Sequence, residues 1–197
     1  MRHDEVYKQH FPTSQPDNST SSAAALVALF NEVYTARLVL RRPQQGDGPA
    51  MFMVHGDPAT NQYNLAGPHP DLAASERTLQ RWLQHWETYG FGYWTIQLAY
   101  TKEVVGFGGV KHFIWHSRDA LNLYYRFTPA AWGYGYATEL AKTAVALARE
   151  YLPQWPVVAR IRANNVASLR IAEHIGLQRH PELDAEHLVF ALGWTSY

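Results

Sequence analysis

The stretch that decides the fold runs from Leu121 to Thr138 and reads LNLYYRFTPAAWGYGYAT. Its first part, Leu121–Phe127, is aliphatic and aromatic and reads as a strand that Pro129 ends. Gly133-Tyr134-Gly135 follows. From there apolar residues recur at helical spacing: Ala137, Leu140, Ala141, Ala144, Leu147, Ala148 and Tyr151. Pro153 and Pro156 stop this helix, and Val157–Ile161 is a continuous apolar run of the kind that forms a strand buried on both faces. Strand, helix and strand make a βαβ unit, so the two strands lie parallel with the helix as crossover.

A helix that starts at a glycine-rich turn presents unpaired backbone N–H groups and the positive end of its dipole. Glycine also lets a ligand come close to the backbone. Together these features make a phosphate site. A plain tight strand-to-helix turn needs the same glycines, so they alone leave the choice even. The turn is not a Walker loop, because no Gly-Lys-Ser/Thr follows it. It is a poor dinucleotide fingerprint as well, since Ala137 comes one place early and the unit sits late in the chain.

Outward from this unit, Ala23–Val33 favours a short helix capped by Ser21 or Ser22, and Thr35–Arg41 alternates as a strand. Ala50–His55 reads as a short helix and Thr60–Pro70 as a loop. Ser75 opens an amphipathic helix with Leu79, Trp82, Leu83 and Trp86 on one face, ended by Gly90 and Gly92. Strands Tyr93–Tyr100 and Glu103–Phe113 follow, joined through Thr101-Lys102. Gly106, Gly108 and Gly109 in the second of them signal a bulge or a close backbone approach. Beyond Ile161, the helix Asn165–Ile175 closes at Gly176, and Leu188–Trp194 is a last strand. The expected fold class is α/β (α+β): a mixed, mostly antiparallel central sheet covered by helices. Residues 1–33 are expected to be an N-terminal extension with a short helix, and 34–197 the domain itself.

The chain has 197 residues, enough for one domain with a full core. Lys+Arg and Asp+Glu are 17 each, and this balance argues against a nucleic-acid binder or a polybasic membrane binder. Cysteine is absent, which excludes disulfides, a thiol nucleophile and thiolate metal ligands. No apolar run reaches the ~18 residues of a membrane span, and the first 20 residues lack the apolar core of a secretory signal. The expected location is the cytoplasm. Aromatic residues make up 14%, a surplus that points to a thick core and an aromatic-lined cavity. There is neither a Gly-x-Ser-x-Gly elbow nor a His-Glu-x-x-His pair, and His112 and His116 on a strand end need not converge, so no metal is expected.

The sequence resembles the GCN5-related N-acetyltransferase (GNAT) family, in particular its RimJ/RimL-like, ribosomal-protein-alanine acetyltransferase branch. The family's acyl-CoA signature, Gln/Arg-x-x-Gly-x-Gly/Ala, is matched by Trp132-Gly133-Tyr134-Gly135-Tyr136-Ala137. The branch's Trp-Gly-x-Gly-Tyr-Ala-Thr-Glu is matched from Trp132 to Glu139. Asn165-Val166-Ala167-Ser168 followed by Glu173–Leu177 fits its Asn-x-x-Ser…Lys-x-Gly-Phe pattern. Thr35–Arg41 looks like the family's opening strand and Trp86–Trp94 like the stretch before its second strand. The likeness spans roughly residues 34–194. Two departures stand out: Trp132 replaces the Gln/Arg, and Ala172 stands where many relatives carry a tyrosine proposed as general acid.

The resemblance implies acetyl-CoA as co-substrate, no metal, and a small-molecule or peptide amine as acceptor. It also admits a homodimer. Acyl-CoA would lie where the Leu121–Phe127 and Val157–Ile161 strands splay apart. Backbone groups near Arg126, Phe127 and Thr128 would pair with the pantetheine arm, one N–H near Phe127 polarising the acetyl carbonyl. The N–H groups of Gly133, Tyr134, Gly135, Tyr136, Ala137 and Thr138 beside Trp132 would hold the pyrophosphate. Asn165 would bond the pantetheine, or simply cap its helix. Ser168 would protonate the departing thiolate, or complete that cap. Asn122, Tyr124 and Arg126 share one strand face by alternation. Tyr124 is the best placed to relay the amine proton, a packed core tyrosine being the competing reading. Trp94 and Trp115 are expected near the acceptor cleft, Trp82 and Trp86 in the core, and Glu139 outside the site as a complement to the helix dipole. A non-catalytic acyl-CoA-binding or sensing domain on the same fold is the alternative.

Overall fold

The computed structural model describes residues 18–195. In chain order the elements are α1 (Asn18–Phe30), β1 (Glu32–Tyr34), β2 (Leu38–Arg41), α2 (Gly48–His55), α3 (Leu72–Tyr89), β3 (Tyr93–Leu98), β4 (Val104–Trp115), β5 (Arg118–Phe127), α4 (Tyr136–Tyr151), β6 (Val157–Ile161), α5 (Val166–His174), β7 (Gln178–Arg179) and β8 (Leu188–Leu192). They form one sheet of order β1-β2-β3-β4-β5-β6-β8-β7. All neighbours are antiparallel except β5 and β6. The mixed, mostly antiparallel sheet and the βαβ unit are therefore as expected.

The parallel pair has an unusual register. β5 meets β4 along its whole length, but it meets β6 only at Leu121↔Val157 and Asn122↔Val158. β6 then pairs with β8 along all of Val157–Ile161. From Leu123 onward, no strand among the described residues pairs with β5 on its β6 side. The two strands part at the end from which the chain turns into α4.

Helices cover both faces. On one, α4 sets Leu140, Ala141 and Ala144 against Leu121, Leu123 and Val110 in a core that also holds Phe30 and Trp94. On the other, α2 and α3 set Met51, Val54, Leu79 and Trp82 against Tyr93 and Phe107. Gly108 explains how closely α4 approaches: a Cβ there would stand 2.7 Å from Leu140 Cδ2 and 2.6 Å from the Tyr124 carbonyl oxygen. The glycines of β4 thus mark close approach.

Several boundaries differ from the expectation. Phe30, not Val33, ends α1, because Val33 and Tyr34 favour strand and pair with Leu40 and Val39. Ser21 and Ser22 fall inside that helix, which begins at Asn18. Phe30 is fully buried, stacks on Trp94 at 5.9 Å and accepts from its indole N–H at 2.7 Å. α3 starts three residues before Ser75, because the Asp71 carboxylate caps it by accepting from Ala74 N–H at 2.7 Å. Ser75 lies buried inside the helix. Gly90, in the left-handed conformation at φ +74°, ends it alone. β1 and β7 are too short to leave a period in the sequence.

Candidate active site

The turn after β5 is built by its aromatic and glycine residues. The Trp132 indole N–H donates to Phe127 O at 3.0 Å and fixes the chain as it leaves the strand. Gly133 and Gly135 then take φ of +82° and +79°, a region that costs other L-residues about 1–2 kcal/mol. The first backbone bond into α4 runs from Glu139 N–H to Gly135 O at 3.1 Å. The N–H groups of residues 133–138 have no acceptor among the described residues. That is the free donor set a pyrophosphate needs.

An ion pair braces the turn from outside. Arg37 donates from Nη1 to Tyr134 O at 2.7 Å and from Nε to Glu139 Oε2 at 2.7 Å. Thr35 Oγ1 and the Arg37 backbone N–H both donate to Glu139 Oε1, at 2.6 and 2.9 Å. Burial works against ionisation of Glu139, but these bonds hold its carboxyl below the usual range. Glu139 is thus turned onto Arg37 and Thr35. The Arg37 guanidinium also lies 4.9 Å over the Tyr136 ring.

Along β5 the ladder sorts the backbone groups. Thr128 N–H donates to Val105 O at 2.9 Å, so Thr128 and, by alternation, Arg126 turn their backbone toward β4. The groups that face the gap beside β6 belong to Leu123, Tyr125 and Phe127, with Phe127 O already taken by Trp132. An extended arm in the gap would meet those residues, with Phe127 N–H among them. The open strand edge and the free donors of the turn fit a pantetheine arm and its pyrophosphate.

The even-numbered side chains of β5 do share one face, the one toward α2 and α3. Asn122 Nδ2 donates to Tyr93 Oη at 2.5 Å. Tyr124 Oη donates to His55 Nε2 at 2.8 Å, and His55 Nδ1 donates to Met51 O at 3.2 Å. Arg126 Nη1 donates to Asn61 Oδ1 at 2.6 Å. Trp82 packs edge-on against His55, Tyr93 and Tyr124. Burial, together with Arg126 and His69, pushes His55 down to about 3, so its ring is neutral and its two nitrogens have fixed roles. Burial pushes the Tyr124 phenol up to about 12.

Across the gap, Asn165 Oδ1 accepts from Ser168 N–H at 3.2 Å, capping α5 as its alternative role required. Burial raises the Tyr125 phenol to about 12, with the nearby Ser168 opposing the rise. Ala172 is buried in the same core against which Tyr125 packs.

Two expectations fail here. Trp94 is fully buried on the α4 side against Phe30, and Trp115 packs on Trp194 at 4.9 Å, at the β4–β5 hairpin. Trp94 faces away from Tyr124, because the alternation of β3 points Tyr93 there instead, and Trp115 is far from Tyr124 along the sheet, paired with Arg118 at the other end of β5. His55 was missed altogether. It stands 69 residues before Tyr124 on an apolar helix, and local spacing carries no trace of their contact. Among the described residues, no group of three His, Asp or Glu side chains is placed to hold a metal ion, and no helix is long and apolar enough to cross a membrane.

Residues 37–178 match the acetyltransferase (GNAT) domain family. YjgM of Escherichia coli K12, described as an uncharacterised N-acetyltransferase, is 30% identical over 85% of this chain and 93% of its own length. The crystal structure of an acetyltransferase from Agrobacterium tumefaciens superposes with a TM-score of 0.71 at 25% identity, covering 94% of this chain and 99% of the other. RimL, a ribosomal L7/L12 α-N-protein acetyltransferase solved with coenzyme A, shares the fold with a TM-score of 0.65 at 17% identity, covering 80% and 94%.

Proposed function

The chain belongs to the GNAT family and is an acetyl-CoA-dependent acetyltransferase, and on that premise we propose that it moves the acetyl group directly to a primary amine bound on the Tyr124 face. The observation that carries this reading is the juxtaposition at β5. One strand offers an unpaired backbone edge toward β6 and, on its α2–α3 face, a phenol with a fixed hydrogen-bond donor direction.

The N–H groups of Gly133, Tyr134, Gly135, Tyr136, Ala137 and Thr138 hold the pyrophosphate, with the helix dipole behind them. Leu123, Tyr125 and Phe127 hold the pantetheine arm as a partial strand, and Asn165 contributes its free amide N–H₂. Phe127 N–H faces the gap and is the donor for the acetyl oxygen. When bound, acetyl-CoA supplies an acetyl thioester whose C–S bond breaks as the amine nitrogen forms its C–N bond. The Tyr124 proton is committed to His55, so the phenol oxygen presents its lone pairs to the amine's N–H. The proton that the nitrogen loses on forming the amide leaves along that contact to solvent, balancing the one the sulfur gains. His55 acts as a positioning residue. Ser168, in the first turn of α5 and near Tyr125 at the edge of the gap, is the group that meets the departing sulfur with a proton. The acceptor is a peptide N-terminus or a small amine.

The test offers the protein acetyl-CoA with a panel of amines and N-terminal peptides and follows thiol release alongside acetylated product. Amine-dependent release is expected. Saturable CoA binding with no amine-dependent release would favour the binding-domain alternative.

A further inference from the structure

The α2–α3 face concentrates positive charge that no ion pair among the described residues neutralises. Lys111 pairs in register with Asn122, so it stands beside the Tyr124 row, its Nζ 5.7 Å over the Tyr93 ring. Arg126 closes the same row, 5.8 Å over the Tyr124 ring. On β6, Arg160 shares this face through Val158, which pairs with Asn122, and it lies 5.6 Å over the Phe113 ring. From α3, the charge of Arg81 reaches both Lys111 and His69.

None of these four side chains meets a carboxylate among the described residues. The arginine ion pairs engage Arg37, Arg41, Arg42, Arg162 and Arg179 instead. Asp71, the carboxylate that His69 feels, already caps α3. The formal net charge of the whole chain is zero, so the cluster is local and is not a general basic excess. Half-buried Lys111 is driven below the usual lysine range by burial and, beside it, by the charge of Arg81. Like charges held together around a phenol are stabilised when an anion sits among them.

We propose that the amine acceptor carries an anionic group, a carboxylate or a phosphate, received by Lys111, Arg126, Arg160 and Arg81 while its amine lies at Tyr124. The inference rests on amine transfer at that face and names the chemical class of the acceptor. Lys111 and Arg126 flank Tyr124 along the sheet, so an anion a few bonds from the amine is within reach. The exposed Arg81 and Arg160 extend the reach to an acidic residue further along a peptide.

Matched acceptor pairs test it: phosphoethanolamine against ethanolamine, glycine against glycinamide, and an acidic against a neutral N-terminal tetrapeptide. The anionic member of at least one pair is expected to have a kcat/KM about 10-fold higher or more, and that pair identifies the source of the anion. Arg160→Gln and Arg81→Gln are expected to lower this ratio about five-fold, and raised salt to lower it further. In parallel, inorganic phosphate is titrated into the CoA-saturated protein and followed by tryptophan fluorescence. Binding is expected, and it weakens in both variants. Equal kcat/KM within every pair, or a ratio that neither variant moves, overturns the inference and leaves amine transfer standing. Phosphate binding that weakens in the variants, with no amine acetylated at all, upholds the anion site and overturns amine transfer.

Discussion

The phenol of Tyr124 donates to Nε2 of His55 at 2.8 Å, and this one bond joins β5 to the end of α2 across 69 residues of sequence. It fixes the histidine as the Nδ1-protonated tautomer and aims the phenol's lone pairs out of the core.

Tyr124→Phe removes the oxygen that meets the amine. kcat is expected to fall about 100-fold with KM for acetyl-CoA unchanged. His55→Gln keeps a partner for the phenol and is expected to cost about 10-fold in kcat. Steady-state kinetics on the best acceptor checks both, and a fully active Tyr124→Phe enzyme would remove the phenol from the mechanism.

His55 also sets an acid limit on stability. Its folded value is about 3 against about 6.5 unfolded, so the unfolded chain takes up the proton first as pH falls. The contribution is complete above the unfolded value and is lost as pH drops toward the folded one. By pH 5 the loss is about 2 kcal/mol. His69 and His85, also lowered by burial, act in the same direction. Urea unfolding at a series of pH values should give His55→Gln a flatter profile than the wild type below pH 6.5; parallel profiles would show that His55 is not held neutral.

The Arg37–Glu139 pair is half exposed on the arginine side, so its direct contribution to stability is small, about 1 kcal/mol or less. Its larger effect is expected on the turn it braces through Tyr134 O. Glu139→Gln and Arg37→Ala should each weaken CoA binding about 5-fold while the melting temperature moves by only a few degrees. Calorimetry measures both, and unchanged affinity would make the brace purely structural.

Two glycines separate folding from binding. Gly108→Ala drives a methyl into Leu140 and the Tyr124 carbonyl and is expected to destabilise the fold by about 1–3 kcal/mol. At Gly135 the space is open, a Cβ meeting only Arg37 Nη2 at 3.6 Å. Gly135→Glu meets no steric clash and costs only the strain of φ +79°, about 1–2 kcal/mol, so it should leave a folded protein that has lost CoA binding, because its carboxylate faces the phosphates. Circular dichroism and CoA titration of the two variants distinguish the outcomes.

The βαβ unit was legible because its signals are local: a strand, a glycine pair and a helical apolar period within 40 residues. The glycine turn into α4 was legible for the same reason. The shared face of Asn122, Tyr124 and Arg126 followed from alternation alone. What stayed hidden depends on tertiary contact. The partner of Tyr124 comes from a distant helix, and the backbone direction of Arg126 and Thr128 depends on which ladder position the strand adopts against β4. Trp94 was misplaced because a single residue's shift along an alternating strand exchanges core face for cleft face.

Hydrogen–deuterium exchange with and without CoA tests the assignment of the cofactor path most directly. Exchange is expected to slow at the amides of residues 133–138 and at Leu123, Tyr125 and Phe127, with β1, β2 and α3 unchanged. Unaltered exchange at the turn and the open edge of β5, with CoA bound and protection elsewhere, would contradict it.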